Sequence, residues 1–135
     1  MSYGVAAALQ AAIYQRLMAD TALDALIGSA IYDAVPPGAV GGTYVSIGPE
    51  TATDASSQTE RGAVHEFSVS VVTDAAGFQN AKAVAAAVSD ALVGATLILV
   101  RGRLVGLWFL RAKARRVEDA DVRRIDLFFR ARVED

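Results

Sequence analysis

AVHEFSVSVVTDAAGFQNAKAVAAAVSDALVG, residues Ala63 to Gly94, changes its apolar period once, and that change decides the fold. From Ala63 to Thr73, Phe67, Val69 and Val71 alternate with Glu66, Ser68 and Ser70, which is the period-2 pattern of a strand with one face in the core and one wet. After Thr73, Phe78, Ala81, Val84, Ala85, Val88 and Leu92 recur at spacings of three and four, so they form one stripe of a helix. Asp74 stands where an N-cap belongs, and Gly94 stands just past the last periodic residue, where a left-handed conformation ends a helix without a Cβ penalty. The helix is rich in alanine and can lie close to a sheet. Its ionisable residues are Lys82 and Asp90 alone, so its apolar stripe reads as packing and not as a cofactor site.

Working outward toward the N-terminus, Ser2 is placed to cap a first helix running to about Ala19, with Val5, Leu9, Ala12, Ile13 and Leu17 on the buried face. Thr21 and Asp24 have capping-box spacing for a short turn of helix that Gly28 closes. Ile31-Tyr32 reads as a brief extended piece. Val35-Pro36-Pro37-Gly38 and Gly41-Gly42 read as loop, because proline has no N–H to give a ladder and glycine weakens one. A strand is expected from about Thr43 to Gly48.

Residues Pro49 to Gly62, PETATDASSQTERG, contain no large apolar side chain that could anchor them to a core. They read as a long polar hairpin arm, and unstructured loops beyond about 12 residues tend to be functional or disordered. Two readings stay open. The arm is either a solvated loop or a segment that orders against a neighbouring molecule through Thr53, Asp54, Ser56, Ser57, Gln58, Thr59, Glu60 and Arg61.

Toward the C-terminus, Thr96 to Val100 is expected as a strand, Arg101-Gly102-Arg103 as a turn, Leu104 to Val117 as a long strand and Glu118-Asp119-Ala120-Asp121 as a turn. Val122 to Val133 closes the chain as a strand with Ile125, Leu127, Phe129, Ala131 and Val133 on one face. Arg124, Asp126, Arg130 and Arg132 lie on the other. Arg111, Lys113 and Arg115 share a face of the long strand, so the last hairpin should carry a basic patch of Arg111, Lys113, Arg115, Arg124, Arg130 and Arg132. Trp108 is expected on the strand face of Leu104 and Leu110.

A chain of 135 residues that is 53% hydrophobic fits a single domain, residues 1–135, with a real core. No apolar run reaches the roughly 18 residues of a membrane span, and no basic region precedes the apolar part of the N-terminus, so the reading is cytoplasmic with no membrane partner. Cysteine is absent and His65 is the one histidine, which removes disulfides, thiolate sites and histidine-based zinc sites. The net charge of −2 hides a split: 3 basic and 9 acidic residues up to Val100 give −6, and 10 basic and 6 acidic after it give +4. Unlike charges on opposite parts attract other copies or an anionic polymer.

No chemistry-bearing motif stands out. Gly41-Gly42 lacks the lysine and helix of a phosphate loop, and Gly102 to Gly106 does not open a helix. His65 begins the core strand on the side of Phe67 with no matched nucleophile, and Asp119 with Asp121 reads better as an exposed turn than as an acid–base pair. No catalytic, cofactor-binding or metal-binding residues are assigned, and no cofactor is expected. The basic residues are present for nucleic-acid binding, but the exposed aromatic platform or groove-reading helix is not.

The order of features resembles the tail-completion, or tail terminator, proteins of long-tailed phages and gene transfer agents. The N-terminal helix ending in LMADTALDALIGSAIYDAVPPG, the strand TYVSIG with its polar arm, the central strand and helix, and the closing hairpin LRAKARRVEDADVRRIDLFFRARV carry the resemblance. It implies an α+β subunit made in the bacterial cytoplasm, an antiparallel sheet of about four strands with two main helices packed on one face and the long polar arm between the first two strands, with no enzymatic activity. It further implies a ring, a hexamer by analogy, that caps the tail tube, stops its polymerisation and joins it to neck or head-completion proteins. DNA would pass through the channel without sequence-specific binding. The rival reading is a nucleic-acid-binding module that uses the basic C-terminal hairpin.

Overall fold

The computed structural model describes residues 3–35, 41–118 and 121–135. In chain order the elements are α1 (Ala6–Met18), α2 (Thr21–Ile27), β1 (Ile31–Tyr32), β2 (Thr43–Asp54), β3 (Gly62–Thr73), α3 (Gln79–Leu92), β4 (Arg103–Val117) and β5 (Val122–Glu134). The fold is α+β. The sheet has five strands in the order β1-β2-β3-β5-β4, antiparallel throughout except for the short parallel pairing of β1 with β2.

The apolar period of the central stretch is realised as read. Phe67, Val69 and Val71 of β3 and Ile125, Leu127, Phe129, Ala131 and Val133 of β5 are buried on the helix-facing side. Leu9, Ile13 and Leu17 of α1 and Val84, Val88 and Leu92 of α3 close the core from above. Phe129 is its centre, stacked on Phe67 at 5.6 Å and edge-on to Phe109 at 5.8 Å. The other face of β3 is drier than an alternating pattern suggests. Ser68 and Ser70 are buried there, Ser70 beneath Arg124 and Asp126 of the neighbouring strand.

Several boundaries differ from the sequence expectation for identifiable reasons. The capping residue of α2 is Asp20, whose carboxylate accepts from the Leu23 amide at 3.0 Å, and not Thr21. Asp74 caps nothing: three residues separate it from Phe78, and its carboxylate instead accepts from the Gly42 amide at 2.9 Å and ties two loops together. Gly28 and Gly94, at φ +60° and +70°, do end their helices. Thr96 to Val100 forms no ladder and leaves β4 as the outermost strand of the sheet. Leu97 and Leu99 pack on the core, while Ile98 and Val100 are 92% and 96% exposed. The expected cap Ser2, the loop residues Pro36, Pro37 and Gly38, and Asp119 with Ala120 in the expected turn lie outside the described residues.

The polar arm is shorter than the sequence suggests, because β2 runs on to Asp54. Gly48-Pro49 does not end the strand. It forms a bulge between the Ile47–Val69 and Glu50–Phe67 pairs, and β2 continues to Asp54 with Thr53 opposite Val64 and Asp54 opposite Ala63. A bulge tolerates proline because the extra residue need not donate to the ladder. The connection between β2 and β3 is therefore Ala55 to Arg61 alone. It is closed locally: the Ala55 amide donates to the Gly62 carbonyl at 2.9 Å, the Ser56 hydroxyl to Asp54 at 2.6 Å, and the Ser57 amide to the Glu60 carbonyl at 2.9 Å.

Candidate assembly surfaces

The first surface is the outer face of the β4–β5 hairpin. β4 carries two bulges, between Leu104 and Gly106 and between Phe109 and Arg111. Each bulge reverses which face the following residues occupy, so the pair cancels. Beyond the second, Arg111, Lys113 and Arg115 stand opposite Phe128, Asp126 and Arg124, on the expected outer face. Between the two bulges the faces are exchanged. Trp108 therefore leaves the side of Leu104, which faces inward opposite Val133, and stands outward opposite Arg130, 48% exposed. Leu110 is itself the bulged residue.

The six basic residues singled out in the sequence are thus gathered on one face, but they are not equivalent. Arg124 donates to Asp126 at 2.8 Å, Arg115 reaches the same carboxylate at 3.8 Å, and Arg130 pairs with Glu66 at 3.2 Å. Burial pushes the Asp126 carboxyl up. The Ser70 and Arg124 hydrogen bonds, with the charges of Arg124 and Arg115, outweigh it and hold the group below its ordinary range. The Arg111 guanidinium lies over the Phe128 ring at 4.0 Å. Among the described residues, no carboxylate comes within 4.0 Å of Arg111, Lys113 or Arg132. Trp108, Arg130 and Arg132 line a shallow outer-face depression with Thr53, Val64 and Glu66.

Of the arm residues, Thr53 and Asp54 belong to the ladder, while Ser56, Ser57, Gln58, Thr59, Glu60 and Arg61 form the turn and are exposed or nearly so. Hydrogen bonds from Ser56 hold the Asp54 carboxyl below its ordinary range. The turn is pinned to the chain end, since the Asp135 amide donates to the Arg61 carbonyl at 2.8 Å.

The second surface was not found in the sequence. The β2 bulge turns Glu50 onto the helix side of the sheet, where it shares a face with His65. The Glu50 carboxylate accepts from the Tyr3 hydroxyl and lies 3.1 Å from His65 Nδ1. The other ring nitrogen of His65, Nε2, is buried without a partner among the described residues. The Tyr3 hydroxyl is held above its ordinary range by the hydrogen bond it gives Glu50 and by that carboxylate's charge. Beside this cluster, α1 and β2 border a groove of about 560 Å³ lined by Tyr3, Ala6, Ala7, Gln10, Ala11, Tyr14, Asp33 and Glu50. Gln10 donates to Asp33 across it. The lining sets two tyrosines and two carboxylates beside an apolar floor of Ala6, Ala7 and Ala11. The signal that could have revealed it is Gly48-Pro49 read as a bulge, which moves Glu50 to the side of His65.

Among the described residues no three histidine, aspartate or glutamate side chains gather in a way that could hold a metal ion, and no helix is long and apolar enough to cross a membrane. The family model for the tail completion protein gp17 matches residues 11–134. A chain in a solved structure, the virion of a native gene transfer agent particle, is 73% identical, with a TM-score of 0.93 over 99% of this chain and 100% of that one. No curated protein matches significantly.

Proposed function

The chain belongs to the family of the tail completion protein gp17, and from that premise we propose that it is a non-enzymatic tail terminator at the junction of tail and neck. Copies form a closed ring, a hexamer, that caps the tail tube, stops its polymerisation and presents its other face to the neck or head-completion proteins. DNA passes through the channel without sequence-specific binding. The observation that carries this reading is the likeness, over nearly the whole of both chains, to a component of a gene transfer agent virion. The fold is consistent with it: β4 is an outermost strand of 15 residues whose free edge calls for protection or a partner. The basic hairpin face serves as an assembly contact, arginine forks meeting carboxylates of neighbouring subunits.

Particles assembled without this chain test the proposal. Tails of uncontrolled length that fail to join heads are expected; tails of normal length correctly joined would end the terminator reading. The rival, a DNA-binding module, draws on the gathered arginines and exposed Trp108. It requires the free domain to bind duplex DNA tightly at physiological salt, with affinity falling steeply as salt rises.

A further inference from the structure

The order of strands separates the charges of this molecule along the sheet. Residues 3–54, which build α1, α2, β1 and β2, carry one cation, Arg16, and five carboxylates. That cation is already engaged, donating to the Ala91 carbonyl at 2.9 Å. Residues 103–134, which build the hairpin at the other end of the sheet, carry nine basic and five acidic residues. β3 stands between β2 and this hairpin, so the acidic and basic ends are set apart across the sheet.

The acidic end holds the groove of Tyr3, Gln10, Tyr14, Asp33 and Glu50. Among the described residues no lysine or arginine lines it, and its two carboxylates meet neutral or titratable groups: Gln10 for Asp33, Tyr3 and His65 for Glu50. Tyrosine rings beside carboxylates over a floor of alanines suit an alkyl-stemmed cation, which packs its stem on the apolar floor and gives its head to the carboxylate. The basic end has cations without an ion-pair partner among the described residues, Arg111 and Lys113, on an exposed outermost strand.

We infer that the groove between α1 and β2 is the docking site for the basic β4–β5 hairpin of a second copy of this chain, in a head-to-tail contact. Groove and hairpin are different surfaces, so each copy gives one and receives one; such a contact closes into a ring if its rotation closes and otherwise grows a filament. The inference rests on the reading of the hairpin as an assembly contact and names the surface it meets.

The absence of cysteine makes a direct test available. Ala7 lines the groove, Lys113 lies on the hairpin, and both are exposed, so thiols there leave the core intact. The Ala7→Cys, Lys113→Cys double variant is oxidised both as the purified chain at high concentration and within assembled tails. A ladder of disulfide-linked multimers is expected, with neither single variant linking. Its yield should fall several-fold in about 1 M salt, where the screening length shrinks to about 3 Å. No ladder in either setting, or dimers from either single variant, overturns the inference. So does a benzophenone at position 7 that attaches to a different tail protein. A ladder from particles whose tail length and head joining proved independent of this chain would leave the contact standing and remove only the terminator reading.

Discussion

Asp126 holds the outer face of the sheet together because three donors or cations converge on it: Ser70 from β3, Arg124 from its own strand and Arg115 from β4. Its carboxyl titrates below its ordinary value of 3.8. A carboxyl whose folded-state value lies below the unfolded one adds stability that is fully present above the unfolded value and is lost as pH falls through the lowered one. Asp126→Asn should therefore cost on the order of 1 kcal/mol near neutral pH, the site being partly open to solvent, and flatten the loss of stability as pH falls below the ordinary carboxylate range. Urea unfolding across that range reads both effects; equal slopes for variant and parent would show that Asp126 is not the linked group. Gly102 is a backbone case. Its φ is +74°, and an added Cβ would come within 2.7 Å of the Glu134 carbonyl oxygen. Gly102→Ala should cost about 1–3 kcal/mol at the entrance to β4, measurable as a lowered urea midpoint with unchanged slope.

At the scale of elements, the long periodic segments were legible and the irregularities were not. The run from Phe67 to Leu92 carries its own period, so strand, helix and buried face follow from spacing alone. A bulge leaves no such trace, because one extra residue changes the faces without changing the composition. The two bulges of β4 cancel, which is why Arg111, Lys113 and Arg115 fell on the expected face while Trp108, lying between them, did not. The uncancelled bulge at Gly48-Pro49 hid both the rest of β2 and the meeting of Glu50 with His65. Thr96 to Val100 has the alternation of a strand and does partly bury Leu97 and Leu99 while exposing Ile98 and Val100, but the same alternation serves a connection that packs on the core without joining a ladder. The shortened turn changes what hydrogen exchange should report. Thr53 and Asp54 now belong to the ladder, so the decisive amides are Gln58 and Thr59, for which the structure offers at best a 3.4 Å bond to Ser57 Oγ. They should exchange fast in the free chain and slow several-fold in assembled tails; equal rates in both would make the turn an ordinary solvated loop.

For the whole molecule, the charge split matters more than any single pair. Exposed ion pairs contribute about 0–1 kcal/mol each, so replacing Lys113 alone should leave assembly nearly unchanged. Reversing Arg111, Lys113 and Arg115 together to Glu changes the hairpin by six charge units and should turn the proposed attraction toward an acidic neighbour into repulsion. Asp126 would then face a carboxylate at position 115 in place of its 3.8 Å partner, so a modest loss of monomer stability is also expected and must be separated from the assembly effect. Thermal unfolding of the purified variant does that. The expected outcome is a folded monomer that fails to join heads to tails at low salt and partly recovers as salt screens the repulsion. Normal joining at all salt concentrations would make the basic face a solvated surface. Failure that salt does not relieve would mean that the arginines act through specific bidentate contacts and not through the field of the whole hairpin.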